Sequence, residues 1–227
     1  MKKEMLEALK ASIPVMMGYI VLGMAFGILL ESKGYNWIYA LLMSVFIYAG
    51  SIQFVAIQLL TTGATFIHAA MMTLLINARH LVYGLSMLKK FNNFKKLKSY
   101  MIFSLTDETY SLLVGVKTPK DCNENWFYFF ISFFNQCYWI IGSLIGSLIG
   151  SLLTINTTGL DFAMTALFIV IVLEQLLTSS KHHYTYLGFI ISLVCLMIFG
   201  KDAFLIPAMI GIIMGLSFMY KGEQEHV

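Results

Sequence analysis

Four ionisable side chains lie inside long apolar stretches of the 227-residue sequence, and they are its clearest candidates for chemistry. They are Arg79 in the stretch 63–88, Asp107 and Glu108 in 100–117, and Glu174 in 162–179. A charged side chain at the centre of a bilayer costs about 2.5–3.5 kcal/mol on insertion scales. These groups must therefore pair with one another, line water or become neutral.

Two interpretations of these groups stay open. In one, Arg79 forms an internal ion pair with Asp107 or Glu108 and only holds two helices together. In the other, they form a site for a small zwitterion such as an amino acid. Its carboxylate would lie near Arg79 or a helix N-terminus, and its ammonium near a carboxylate. The candidate carriers of a coupled proton are His80, Asp107, Glu108 and Glu174.

A second polar feature, the sequence YAGSIQ at 48–53, lies at the centre of the apolar segment 36–60. A Gly-Ser break here would separate two short half-helices and expose backbone groups. Such backbone is tolerated at membrane depth where it lines a cavity, and broken helices often form transporter sites. A continuous helix with a small-residue packing face is the alternative. The predicted substrate-binding residues are Gly50, Ser51, Gln53, Asn77 and Arg79.

The composition excludes most classes of soluble protein. Hydrophobic residues make up 59% of the chain and charged residues 12%, against about 45–50% and 25% in an ordinary soluble domain. The net charge of +3 is too small to indicate a nucleic-acid partner. Three cysteines without a CxxC pair indicate neither a disulfide framework nor a zinc site. The class is therefore an integral membrane protein, with no cofactor or metal expected.

The apolar stretches predict helices that cross a membrane. They cover 13–30, 36–60, 63–88, 100–117, 126–153, 162–179, 184–199 and 203–219. Barrel strands would alternate polar and apolar residues, and these stretches do not. We predict an all-α polytopic membrane protein with about seven spans plus a broken or re-entrant helix near 36–60. A single transmembrane domain would cover 1–227, and the basic start 1–12 could form an interfacial helix.

The lysine distribution bears on the topology of segment 36–60. Lys2, Lys3 and Lys10 precede the first span, and five lysines crowd the loop 89–98. The positive-inside rule places both clusters in the cytoplasm, so an even number of crossings must separate them. Three apolar segments lie between, and the count becomes even if segment 36–60 enters and leaves by the same face.

Small residues recur at helical spacing. The sequence GSLIGSLIGS at 142–151 places a glycine at every fourth residue, and Gly23/Gly27 and Gly211/Gly215 repeat the spacing. Small residues four apart let helices approach closely in lipid. These stripes therefore predict helix packing. No GxSxG, HExxH or P-loop motif appears, so no catalytic residue is indicated.

The order of these motifs resembles the AzlC family of branched-chain amino acid permeases. The resemblance covers roughly residues 10–175. Its elements are Pro14, GMAFG at 23–27, Ser44, AGSIQF at 49–54, Asn77-Ala78-Arg79-His80, Tyr83-Gly84, Asp107-Glu108, GLDFA at 159–163 and Phe168.

This resemblance implies export of branched-chain amino acids and toxic analogues by a multi-pass protein of the bacterial cytoplasmic membrane. It also implies a small membrane partner of the AzlD type, and the proton motive force is the expected energy source for this class. The lipid bilayer and a small amino acid are the other expected partners. A membrane-embedded enzyme using Asp107, Glu108 and His80, or a structural subunit that does not transport, are the alternatives.

Overall fold

The computed structural model describes residues 1–152, 162, 166, 169, 173, 176–177 and 182–225, and this part of the chain contains helices and no strand. The helices are α1 (Lys2–Ser32), α2 (Trp37–Phe46), α3 (Gly50–Thr61), α4 (Phe66–Phe91), a 3₁₀ helix (Asn92–Leu97), α5 (Lys98–Phe103), α6 (Asp107–Gly115), α7 (Glu124–Leu152), α8 (His182–Ala203) and α9 (Leu205–Glu225).

Among the described residues, three helices are long and apolar enough to cross a membrane: α1, α7 and the part His182–Gly200 of α8. The predicted class of helical membrane protein is confirmed, whereas the number of seven spans stays a prediction. Residues 2–12 are the first part of α1 and form one helix with the rest of it.

The chain divides into two compact units, Met1–Thr165 and Ala166–Val227. In the second unit α8 packs on α9, where a Cβ on Gly211 would lie 2.9 Å from Ile191.

In the first unit α1 and α7 run parallel along their whole length, joined by the predicted glycine stripe. Gly142 faces the backbone of Ile20, and Gly146 faces the backbone of Met24. A Cβ on Gly142 would lie 2.7 Å from the carbonyl oxygen of Ile20. Because both positions advance by four residues, the two helices keep one register. The packing role predicted for the stripe is confirmed.

The segment 36–60 is broken, as predicted, into two short half-helices. The break covers Ile47–Ala49, where Tyr48 adopts a left-handed backbone with φ of 43°. Gly50 and Ser51 lie just after the break and open α3. The break therefore precedes the Gly-Ser pair instead of containing it.

α2 runs from one end of the α1–α7 pair towards its middle. The backbone N–H of Tyr35, just before α2, donates to the carbonyl of Leu30 near the end of α1. Near the other end of α2, the carbonyl of Val45 accepts a hydrogen bond of 3.2 Å from Gln136 in the middle of α7.

α3 returns towards the end from which α2 came. Gly50 packs on the ring of Trp139, and the ring of Phe54 lies 5.7 Å from that of Phe26. Trp139 also contacts Tyr19, seven residues before Phe26 on α1. The path from Gly50 to Phe54 thus leads back towards the C-terminal end of α1. α2 and α3 form a hairpin of two half-helices, called here the first hairpin.

The stretch 100–117 was expected to form one helix, and this expectation is wrong. α5 ends at Phe103, and α6 begins at Asp107. The Thr106 side chain caps α6 by accepting a hydrogen bond from the backbone N–H of Thr109. Asp107 and Glu108 occupy the first turn, where negative charge is favourable.

α5 and α6 form a second hairpin, which has its base at the opposite end. α4 carries the chain there, since Met87 and Phe91 near its C-terminus share a buried cluster with Ala8 of α1. α6 returns to the same end, where Lys90 donates to the carbonyl of Leu113. The lysine-rich connection and the N-terminal tail therefore lie at one end, as the charge distribution predicts. Two hairpins, each made of two short helices on either side of a break, thus extend from opposite ends of the α1–α7 pair towards its middle.

Candidate functional site

The tip of the second hairpin meets α1 at Tyr19, near the midpoint of that helix. The Tyr19 hydroxyl oxygen lies 2.6 Å from Thr106 Oγ1 and donates a hydrogen bond of 2.7 Å to Glu108 Oε2. The Tyr19 side chain is only 4% exposed. The site therefore combines a carboxylate, a phenol and a helix N-terminus inside the packed first unit.

Hydrogen bonds continue from this point to α7. The Thr106 hydroxyl lies 2.9 Å from that of Thr109, and Asn135 Nδ2 donates to Thr109 Oγ1 over 3.0 Å. Thr109 and Asn135 are fully buried and Thr106 is nearly so. One connected row of polar groups thus joins α1, the second hairpin and α7.

Trp139 connects the tip of the first hairpin to the same region. Its indole N–H donates to Gln53 Oε1 over 2.9 Å, and its ring lies edge-on to Tyr19 at 5.5 Å. Gly50 is needed under this ring, because a Cβ there would lie 2.9 Å from its Cη2 atom. Both hairpin tips therefore lie close to Tyr19: the second contacts it directly, and the first contacts it through Trp139.

Some buried oxygen atoms at this depth make no hydrogen bond to the described residues. They are Ser104 Oγ at the tip of the second hairpin, and Ser132 Oγ and Asn135 Oδ1 on α7. A buried polar atom left without a partner costs about 1–3 kcal/mol. These three oxygen atoms therefore keep unused hydrogen-bonding capacity among the described residues.

The structure places part of the predicted site together. Glu108 belongs to the polar row, and Asp107 precedes it at the start of α6. Gly50 and Ser51 open α3 at the tip of the first hairpin. Gln53 lies beside them, but its amide already accepts from Trp139 and donates to Ser44 over 3.4 Å.

The described residues of α4 approach the second hairpin through a series of ring contacts. His80 Nδ1 lies 3.3 Å from the carbonyl oxygen of Asn77. The His80 ring contacts Tyr83, and Tyr83 stacks on Tyr110 of α6 with ring centroids 4.5 Å apart. This stack links α4 to the second hairpin. The Arg79 side chain and all of Glu174 lie outside the described part of the chain, so their roles stay predictions.

Several residues of the site were missed in the sequence. They are Tyr19, Thr106, Thr109, Asn135 and Trp139. A signal existed for two groups: Thr followed by Asp and Glu is a helix-start pattern, and Asn135-Gln136 interrupts an apolar stretch. Tyr19 gave none, since a tyrosine in an apolar helix is ordinarily read as core. Within the described residues, no group of three His, Cys, Asp or Glu side chains is suited to hold a metal ion.

Comparison with known proteins matches the family model described as "AzlC protein" to residues 14–153. The chain is 42% identical over 215 residues to the branched-chain amino acid transport protein AzlC of Bacillus subtilis, covering 95% of this chain and 85% of that one. It is 44% identical over 215 residues to an uncharacterized membrane protein of Helicobacter pylori strain J99, covering 95% and 94%. An inner membrane protein of Escherichia coli, YgaZ, is 29% identical over 143 residues, covering 61% and 58%. No solved structure matches.

Proposed function

Since the chain belongs to the AzlC family, we propose that it is a secondary transporter that exports branched-chain amino acids or their analogues. The name of the Bacillus subtilis relative, a branched-chain amino acid transport protein, supports this substrate class. Export, and coupling to the proton motive force, extend the proposal through the family resemblance. The site would lie in a multi-pass protein of the bacterial cytoplasmic membrane, working with a small partner of the AzlD type.

The observation that carries the proposal is the meeting of two helix breaks halfway along α1. One break covers Ile47–Ala49 and the other Ser104–Thr106, and their hairpins extend from opposite ends of the first unit. Discontinuous helices at the bilayer midplane are the usual way in which transporters form a site for polar solutes. The alternative of a continuous packing helix at 36–60 is excluded by the break itself.

The site suits an aliphatic zwitterion in charge and polarity. The start of α3 at Gly50 and Ser51 would favour a carboxylate, because a helix N-terminus carries partial positive charge. Glu108 would take the ammonium group or a coupled proton. The rings of Phe26, Phe54 and Trp139 pack together beside the start of α3 and would contact the aliphatic tail. Arg79 would face the carboxylate or pair with Glu108, and both possibilities stay open.

The orientation is also part of the proposal. Lys3 pairs with Asp121, and Lys90 lies 3.6 Å above the ring of Tyr128, so both basic clusters lie at the end of the unit where α7 begins. By the positive-inside rule this end would face the cytoplasm. The first hairpin would then open from the outside and the second from the inside.

The test is efflux from proteoliposomes that contain the chain and a small AzlD-type partner. Vesicles loaded with labelled leucine, isoleucine or valine should release it faster when a proton gradient is imposed. Glu108→Gln should fold but lose at least about tenfold in rate, which equals about 1.4 kcal/mol. Asp121→Asn is the control, because it also removes a carboxylate but lies in the loop before α7. No efflux of any of the three substrates would overturn the proposal.

A purely structural role of Arg79 makes a different prediction. If Arg79 only pairs internally, Arg79→Gln should damage folding, and exchanging Arg79 with its acidic partner should restore it. Under the transport proposal the exchanged protein should fold and remain inactive. The amount of monodisperse protein and the efflux rate distinguish the two.

A further inference from the structure

We propose that Tyr19 is a positioning residue for Glu108, and that the hydroxyl groups of Tyr19, Thr106 and Thr109 form a relay that reverses its hydrogen bonds when Glu108 takes up a proton. The inference rests on the proposed function, in which Glu108 exchanges protons. The group of three hydroxyls is called the hydroxyl relay below. It is carried by distances of 2.6, 2.7 and 2.9 Å between successive oxygen atoms from Glu108 to Thr109.

An ionised Glu108 fixes the direction of the relay. A carboxylate only accepts hydrogen bonds, so the single hydrogen of Tyr19 must point to Glu108 Oε2. The Tyr19 oxygen is then free to accept from Thr106, whose hydrogen turns away from Thr109, the acceptor that it has in this structure. Tyr19 and Thr106 therefore both donate towards the carboxylate.

A protonated Glu108 reverses that direction. The new carboxyl hydrogen can be donated to the Tyr19 oxygen, so that Tyr19 donates to Thr106 and Thr106 donates to Thr109. Thr109 Oγ1 then accepts from both Thr106 and Asn135 Nδ2, and its own hydrogen must turn away. No bond between heavy atoms changes, and the one added proton stays on Glu108.

The relay joins the packed pair of α1 and α7 to the tip of the second hairpin. Tyr19 and Asn135 belong to α1 and α7, which are held together by backbone contacts along the glycine stripe. Thr106, Glu108 and Thr109 belong to the tip of the second hairpin. A hydrogen bond to a charged group is roughly twice as strong as a neutral one. Neutralising Glu108 therefore weakens the contact that holds this tip against α1.

Several titratable groups of the described residues lie around Glu108. Tyr19 faces it from α1, Tyr48 lies nearby at the break of the first hairpin, and Asp107 is its neighbour on α6. α7 presents the neutral amide of Asn135 to the relay. On α4, Tyr83 stacks on Tyr110, Ser86 donates to the Tyr110 hydroxyl, and the charged Lys90 donates to the carbonyl of Leu113. Tyr19 is the one of these for which the structure gives a hydrogen bond to the Glu108 carboxylate.

The experiment compares Tyr19→Phe with Tyr138→Phe in the full chain reconstituted with its small partner. Tyr138 is a matched control, because its buried hydroxyl also bonds a hydroxyl across α1 and α7, that of Ser12 at 3.0 Å, and touches no carboxylate. The readout is the infrared carboxyl band that rises on acidification and is missing in Glu108→Gln. This band reports the protonation of Glu108 whether or not transport occurs.

Tyr19→Phe removes a donor to the carboxylate, so the carboxyl band should appear at higher pH. We expect its midpoint to move up by about one pH unit, a tenfold change in proton affinity. Tyr138→Phe should leave the midpoint unchanged. The pH profile of leucine efflux should move in the same direction as the band. A midpoint that Tyr19→Phe leaves in place, or that both variants move equally, would overturn the proposal.

A second pair of variants covers the case in which Tyr19→Phe does not fold. Thr109→Val removes a relay hydroxyl and keeps the Thr106 cap, whereas Thr109→Ser keeps the hydroxyl. Thr109→Val removes the acceptor that Thr106 uses when Glu108 is protonated, so it should move the midpoint to lower pH, whereas Thr109→Ser should leave it in place. Equal midpoints for these two variants would overturn the relay. If wild-type vesicles release no substrate while the band still shifts in Tyr19→Phe, the proposed function fails and the relay stands.

Discussion

The parallel packing of α1 on α7 predicts a graded response to alanine substitutions at four glycines. A Cβ at Gly146 would overlap the carbonyl oxygen of Met24, and at Gly142 it would lie 2.7 Å from that of Ile20. Backbone atoms inside a packed helix pair cannot move aside as a side chain can. At Gly150 the nearest atom is the Cβ of Glu31, 3.1 Å away, and at Gly18 nothing lies within 4 Å.

These distances set the expected sizes. Overpacking costs about 1–3 kcal/mol or more, while Gly→Ala inside a helix gains about 1 kcal/mol. Gly142→Ala and Gly146→Ala should therefore lose stability on balance, by about 2 kcal/mol for a cost at the upper end of that range. Gly150→Ala should be close to neutral, since the two effects offset each other. Gly18→Ala is the control and should gain stability through helix propensity alone.

The assay is thermal unfolding of the purified protein in detergent, followed by tryptophan fluorescence. For a chain of this size about 1 kcal/mol corresponds to about 2–4 °C in Tm. Gly146→Ala should lower Tm by about 4–8 °C, whereas Gly18→Ala should not lower it. Equal Tm values for these two variants would refute the packing. A larger loss at Gly150 than at Gly146 would refute the register.

Two further predictions concern the tip of the first hairpin and the start of α7. Gly50→Ala should displace the Trp139 ring and break its hydrogen bond to Gln53, at a cost of about 1–3 kcal/mol in stability. Both Tm and the efflux rate should therefore fall. Unchanged Tm and efflux would contradict the contact between Gly50 and Trp139. The hydrogen bond from Lys3 holds the pKa of the Asp121 carboxyl below its usual range. The stabilisation by this ion pair is therefore present at pH values above the usual pKa of an aspartate, and it is lost as the pH falls through the lowered pKa of Asp121. The small Tm difference between wild type and Asp121→Asn should vanish in acid and shrink with salt, and a difference that grows in acid would contradict the sign.

The elements that follow from local pattern were predictable from the sequence. The apolar stretch 13–30 lies within α1 and 126–153 coincides closely with α7, because runs of this length and polarity have few alternatives in a membrane protein. The break in 36–60 was predicted from the Gly-Ser pair, although it lies just before Gly50. The break in 100–117 was missed, because hydropathy averages over Thr106 and hides its capping role.

The site was less predictable, since its contacts join distant parts of the chain. Tyr19 and Glu108 are 89 residues apart, and Gln53 and Trp139 are 86 apart. Polarity singled out Glu108, with Arg79 as a possible partner, but gave no sign of its hydrogen bond to Tyr19. The two hairpins point in opposite directions, but no evident repeat in the sequence indicates this arrangement. It follows from the directions of α1 and α4, which only the fold determines.

The central claim is that the two hairpins enter from opposite faces and that neither crosses the membrane. Cysteine labelling in a cysteine-free background tests it most directly, at Lys33 and Thr62 beside the first hairpin and at Asn92 and Lys120 beside the second. Lys33→Cys and Thr62→Cys should react from the face opposite the N-terminal tail, and Asn92→Cys and Lys120→Cys from the face of that tail. Labelling of Thr62→Cys from the side of the tail would contradict the account.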